Sequence, residues 1–144
     1  MSQDEARPYS FTLDPFPQQA PEWNRASAFY DHLREGRLTT TRCRTCDLVS
    51  WPPRSVCPEC HGDDLEWIDL PTEGRILAAT VQVAGTPPGF PAALVFALLE
   101  FTPDVRFIGR ILTEDLEAAV ADRMASLVVQ EVSRDRVVPA FRLV

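Results

Sequence analysis

The sequence predicts a mainly β protein with one N-terminal helix, a small module built on a metal ion, and a five-stranded barrel. Three observations predict it. Two Cys-x2-Cys pairs, Cys43/Cys46 and Cys57/Cys60, are separated by ten residues. Apolar residues recur at helical spacing over residues 21–34. From Gly74 onward, apolar runs of strand length alternate with turn residues.

Composition narrows the function classes. The 144 residues accommodate one full domain or two small ones, and 45% are hydrophobic, so a disordered chain is not expected. There are 14 Lys+Arg against 21 Asp+Glu, and every basic residue is arginine, for a net charge of -7. Phosphate neutralisation needs excess positive charge, so the balance argues against a nucleic-acid partner. No run approaches the roughly 20 apolar residues of a membrane-spanning helix. The first twenty residues have neither a basic n-region nor an apolar h-region, so no secretory signal is read and the cytoplasm is expected. Thiols stay reduced there, and four clustered cysteines are then better read as metal ligands than as disulfides.

Residues 1–36 read as an arm and a helix. The arm is rich in proline and polar residues, and its alternating Tyr9, Phe11 and Leu13 suit either a flexible terminus or a docked extended segment. The helix is expected over residues 21–34. Pro21 suits the first turn, Glu22 suits the positive helix end, and Gly36 suits the stop. Trp23, Ala26, Phe29, Tyr30 and Leu33 then share one apolar face, turned to the protein's own core or to a partner.

Residues 37–70 carry the cysteines. A Cys-x-x-Cys turn places two sulfurs on one side of a tight hairpin, with backbone N–H groups aimed at them. Two such knuckles facing each other offer four thiolates in a tetrahedron, which suits Zn²⁺ more than iron as a structural ion. The metal ligands are therefore expected to be Cys43, Cys46, Cys57 and Cys60. Asp47 follows the first knuckle, where a left-handed backbone is needed, and aspartate tolerates that region better than most residues. A closed site of four sulfurs leaves no open coordination position, so the metal is read as structural.

Residues 71–144 read as the barrel. Strands are expected at residues 76–83, with Leu77, Ala79, Val81 and Val83 on one face, then at 94–101, which is apolar enough to be buried on both faces. Residues 85–91 form a loop. Further strands follow at 106–111, 127–132 and 137–143, with Pro139 placing the last at an edge or bulge. Thr113 caps a short helix in which Leu116, Ala119 and Val120 face inward. Five strands with a short helix between the third and fourth fit the OB type of barrel.

No catalytic set is found. If the cysteines bind metal, only His32 and His61 remain as near-neutral bases. His32 reads as a solvated residue on the polar side of the helix, and His61 as part of the knuckle surface. No nucleophile elbow, phosphate loop or H-E-x-x-H occurs. Arginine placement is the one positive signal. Arg34, Arg37, Arg42, Arg44 and Arg54 lie in a stretch whose acids are Glu35 and Asp47. Arginine forks bind phosphate bidentately, so this stretch suits a phosphorylated ligand such as a nucleotide or coenzyme A, and equally a solvated surface.

The stretch FYDHLREGRLTTTRCRTCDLVSWPPRSVCPECHGDDLEWIDLPTEGRI resembles the DUF35 family. The features that carry the likeness are Leu33 to Leu38 at the helix end, the two Cys pairs with Pro52-Pro53-Arg54 between them, and Trp67 after the ribbon. Gly74, then Phe107-Ile108-Gly109-Arg110, then Val138-Pro139-Ala140-Phe141 extend it through the barrel. Asp47 stands where the family commonly has glycine. The resemblance implies a rubredoxin-like zinc ribbon followed by an OB fold in an acyl-CoA-associated protein. It also implies a non-catalytic accessory subunit of a thiolase-type complex, helping to form the CoA and acyl channel, with Arg37, Arg42, Arg44 and Arg54 as the candidate CoA-phosphate contacts. A partner aldolase or hydratase acting on acyl-CoA is the first alternative, so a hetero-oligomer is expected. A nucleic-acid-binding ribbon and barrel, and a stand-alone acyl-CoA carrier, are the others.

Overall fold

The computed structural model describes residues 16–144 apart from Pro88 and Arg134. The arm residues Tyr9, Phe11 and Leu13 lie outside the described residues. Among the described residues one helix, α1 (Ser27–Arg34), precedes eight strands. They are β1 (Thr39–Cys43), β2 (Val49–Ser50), β3 (Leu65–Asp69), β4 (Glu73–Gln82), β5 (Leu94–Thr102), β6 (Val105–Ile111), β7 (Met124–Ser133) and β8 (Arg136–Leu143).

The helix is shorter than the sequence predicts. Trp23 and Asn24 both donate their N–H groups to the Ala20 carbonyl at 3.0 Å, and the Asn24 side chain accepts from the Ala26 N–H at 2.8 Å. An asparagine that bonds its own downstream backbone favours a turn over a helical ladder. Trp23 is consequently 77% exposed rather than part of the apolar face, while Phe29 and Leu33 are buried as expected. At the other end, Arg37 donates to the His32 carbonyl and Gly36 to Leu33, with Gly36 at φ 77. This is a Schellman stop, in which glycine takes the left-handed position without a Cβ penalty.

Ahead of the helix, Gln19 acts as a substitute strand residue. Its amide donates to the Val137 carbonyl at 2.7 Å and accepts from the Val137 N–H at 3.1 Å. Arg34 donates to the Gln19 side chain and to the Asp135 carbonyl. The segment before α1 is thereby laid against β8.

β2, β1 and β3 form a three-stranded antiparallel sheet, the ribbon. The other five strands close a barrel in the order β4-β5-β6-β8-β7, with β4 returning to β7. All neighbours are antiparallel except β6 and β8, which meet in parallel at Ile111 and Phe141. This is the five-stranded barrel that the sequence predicts. Pro139 lies on β8 in register with Val129, two residues before that parallel pair.

Three details of the barrel correct the sequence reading. Ile76 is fully buried and Val83 is 76% exposed, so the apolar face of β4 is not Leu77, Ala79, Val81 and Val83. A β-bulge between Ile76 and Ala78 resets the alternation, which lets both Ile76 and Val81 pack inward. β5 alternates buried with half-buried residues and is not enclosed on both faces. Residues 113–120 form turns in place of a helix, leaving Leu116 and Val120 exposed while Ala119 packs on the core. Thr113 accepts from the Asp115 N–H, and Asp115 accepts from the Glu117 N–H. These local bonds take the donors that a helical ladder would use.

One apolar core runs through all parts. Phe29 and Leu33 enter it from α1, Leu38 and Leu70 from the two ends of the ribbon, and Ile76, Leu99, Phe101, Val105 and Phe141 from the barrel. A column of rings crosses it. Trp51 of the ribbon stacks on Phe107 at 3.9 Å, and Phe107 stacks on Phe101 at 4.7 Å. Phe101 meets Phe141 at 5.4 Å. Each such pair adds about 0.5–1.5 kcal/mol beyond its area burial.

The rings need two glycines. A Cβ on Gly74 would lie 2.9 Å from the Phe101 ring, and one on Gly109 would lie 2.6 Å from the Phe141 ring and 3.0 Å from Leu99. Phe141 and Leu99 are both fully buried and have no space to move into. Gly109→Ala should therefore cost about 1–3 kcal/mol, as over-packing of a close-packed core does. Urea unfolding that gives the same midpoint for the variant would contradict this packing.

Candidate metal centre

The two cysteine pairs sit on matching turns. Cys43 ends β1, and its N–H donates to the Leu48 carbonyl while its carbonyl accepts from the Asp47 N–H, both at 2.9 Å. Cys57 repeats the pattern with Gly62 and His61, at 2.8 and 3.0 Å. The residue four positions after each leading cysteine is left-handed: Asp47 at φ 62 and His61 at φ 61. Asp47 thus has the backbone that the sequence predicts, and His61 is its counterpart in the second knuckle.

The four sulfurs converge. Cys43 Sγ lies 3.5 Å from Cys60 Sγ, and Cys46 Sγ lies 3.5 Å from Cys57 Sγ. All four fall within 4.8 Å of one another. A tetrahedron with Zn–S of about 2.3 Å has sulfurs about 3.8 Å apart, so the set fits zinc. Cys43 and Cys57 are buried and Cys46 and Cys60 exposed, which puts the site at the ribbon surface.

Backbone N–H groups aim at the sulfurs and favour thiolates. The Cys46 N–H, helped by that of Thr45, brings the Cys43 thiol down to about 6 against the opposing effect of burial. The Cys60 N–H lowers Cys57 in the same way. Cys46 and Cys60 receive N–H bonds from Leu48 and Gly62, but their thiol neighbours and burial outweigh these. Cys46 is pushed up to about 12 and Cys60 is raised. The N–H groups thus favour the thiolate form most on Cys43 and Cys57, and a bound Zn²⁺ displaces the protons the four thiols still carry.

The sequence-predicted phosphate arginines are placed differently from one another. Arg37 forms a two-pronged pair with Asp69, at 2.8 and 3.2 Å. Arg42 pairs with Glu66, its direct cross-strand neighbour, at 2.8 Å through Nε. Arg44 reaches Asp64 and Glu66, each at 3.5 Å. The hydrogen bond from Arg37 holds the Asp69 carboxyl below its usual range, and that from Arg42 does the same for Glu66. Among the described residues Arg54 has no ion pair; its backbone N–H donates to Thr41 Oγ1 at 2.9 Å. The local positive charge is thus met by carboxylates on and beside β3, beyond the stretch over which the arginines cluster in sequence.

His32 is not simply solvated. Its Nδ1 lies 3.0 Å from Thr39 Oγ1, and its ring meets Trp67 edge-on at 5.2 Å. Trp51 is committed to Phe107. A shallow cleft of about 230 Å³ lies between the segment before α1 and β8, lined by Gln18, Asp31, Arg34 and Asp135. It contains no thiol or histidine.

The sequence model of the family described as ChsH2, rubredoxin-like zinc ribbon domain, matches residues 31–66. A DUF35 domain-containing scaffold protein of Methanocaldococcus jannaschii is 31% identical over 83 residues, which are 56% of this chain and 59% of that protein. The solved structure of an Ltp2-ChsH2(DUF35) aldolase superposes with a TM-score of 0.73 at 23% identity, covering 86% of this chain and 98% of that one. Residues 31–66 thus match a rubredoxin-like zinc ribbon of the ChsH2 type, and the chain is similar to DUF35 proteins in sequence and in fold. A DUF35 protein of unknown function from Sulfolobus solfataricus has the same fold, with a TM-score of 0.54 at 15% identity over 96% of this chain and 90% of its own. A probable enoyl-CoA hydratase alpha subunit of Thermomonospora curvata is 29% identical over 89 residues, 61% of this chain. The chain spans 28% of that protein and 59% of the archaeal scaffold protein. No helix among the described residues is long and apolar enough to cross a membrane.

Two outcomes check the centre. Purified protein should carry one zinc, and Cys46→Ser or a strong chelator should remove it and lower the thermal midpoint, because metal binding is folding free energy here. An unchanged midpoint after complete zinc removal would show that the ion is not structural. At the left-handed position, Asp47→Gly should hold or raise stability by up to about 1 kcal/mol, whereas Asp47→Val should lower it by about 1–2 kcal/mol. Chelator titration of the three proteins gives the comparison.

Proposed function

We propose that this chain is a non-catalytic accessory subunit of an enzyme complex acting on acyl-CoA thioesters, where it helps to shape the CoA and acyl channel. The observation that carries this is the commitment of its reactive side chains. All four thiols converge on one closed site, His61 serves the second knuckle, and His32 is bonded to Thr39. A closed S₄ site has no position for substrate, so the bond-making groups belong to the partner. The hydratase subunit among its relatives supports a CoA-thioester context, and together with the structurally similar aldolase it favours an aldolase or hydratase as partner. A thiolase-type partner is the competing reading, supported by the family resemblance. In either case the CoA phosphate contact at the ribbon falls to Arg54, because Arg37, Arg42 and Arg44 are already neutralised.

Purification from the native host through a tag on this chain tests the proposal. A co-purifying enzyme that turns over CoA thioesters, at fixed stoichiometry, supports it, and the bond that enzyme cleaves or forms separates the aldolase, hydratase and thiolase readings. Recovery of the chain with no such enzyme would overturn it.

A further inference from the structure

Arg110 stands apart from the other arginines of the barrel. Arg75 and Arg106 both pair with Glu100, at 2.8 and 2.6 Å. Arg110 lies further along β6 on the same outer face, and among the described residues it has no carboxylate partner. Its Nη1 donates to Gln130 Oε1 at 3.4 Å, and its Nε is buried with no hydrogen-bond partner. The Phe90 ring lies over the guanidinium, 5.0 Å from Cζ, and Phe90 in turn meets Phe16 at 6.0 Å. Strand register sets Phe96 and then Thr80 beside Arg110 in one cross-strand row. Burial lowers the pKa of the guanidinium from its usual value.

A guanidinium partly withdrawn from water without a counter-charge is unfavourable, and proteins ordinarily supply a carboxylate. Nothing among the described residues does so here, although the same barrel pairs its more exposed arginines. The Nε–Nη2 edge, the one not turned to Gln130, has the spacing that two oxygens of an oxyanion match.

We propose that Arg110 anchors an oxyanion-binding site on the outer face of the barrel, taking a phosphoryl or carboxylate group carried on an apolar or planar body. The oxyanion meets the Nε–Nη2 edge of the fork. Phe90, whose ring lies over the guanidinium, moves aside to admit it and then forms the apolar wall, with Phe96 in the same row. The site is separate from the ribbon arginines and does not depend on the acyl-CoA reading.

The full zinc-loaded chain, labelled with ¹⁵N, reports on the site through the Arg110 Nε–H resonance, assigned by its loss in both Arg110→Gln and Arg110→Lys. Inorganic phosphate and phenyl phosphate form one arm of the titration, acetate and benzoate the other, with sodium chloride at matched ionic strength as reference. The expected result is a saturable shift in at least one arm, about fivefold tighter for the ring-bearing anion, an advantage that Phe90→Ala erases. The arm that saturates at lower concentration identifies the oxyanion. A response no larger than that to sodium chloride would overturn the proposal.

Discussion

The stack of Trp51 on Phe107, continued by Phe101 and Phe141, is the contact on which the rest of the molecule depends. A ribbon of three short strands cannot build its own core, and the barrel alone would expose Phe107. The ring column satisfies both, because the ribbon's tryptophan closes the barrel side on which Phe107 sits half-buried. Phe29 of α1 meets the same tryptophan edge-on at 5.9 Å, so the helix is held by the same column. Gly109 and Gly74 are the counterpart of the stack: their missing side chains are the space that the Phe141 and Phe101 rings occupy.

The metal centre acts on this column from outside. Its knuckles fix the turn between Cys43 and β2 and the turn that returns the chain to β3. β2 ends one residue before Trp51, so the tetrad sets where the indole is presented. The ribbon's charges do related work. Arg37, Arg42 and Arg44 bind the carboxylates on and beside β3, and these cross-strand pairs align the sheet instead of presenting free cations. A centre built this way is suited to holding surfaces in place, which agrees with an accessory role beside a catalytic partner.

Legibility in the sequence followed the range of the interaction. The knuckles, the helix stop at Gly36 and the left-handed Asp47 all depend on residues within about five positions of one another, and all were readable. The barrel strands were readable from their apolar runs. The inward face of β4 was not, because a bulge between Ile76 and Ala78 shifts the alternation. The helix start and the segment after Thr113 were misread for one reason: side chains of Asn24, Thr113 and Asp115 bond their own backbone and compete with helical bonds.

The chemistry divides along the same line. The sequence by itself determined the four-cysteine site and the mainly β architecture, since spacing and residue type settle these locally. Only the tertiary structure decided which arginines are neutralised. Arg42 meets Glu66, 24 residues away, because two strands pair in one register. Among the described residues Arg110 finds no such acid, because its row on the barrel carries Thr80 and Phe96. Charge compensation acts across space between strands, and no linear count of charges reports it.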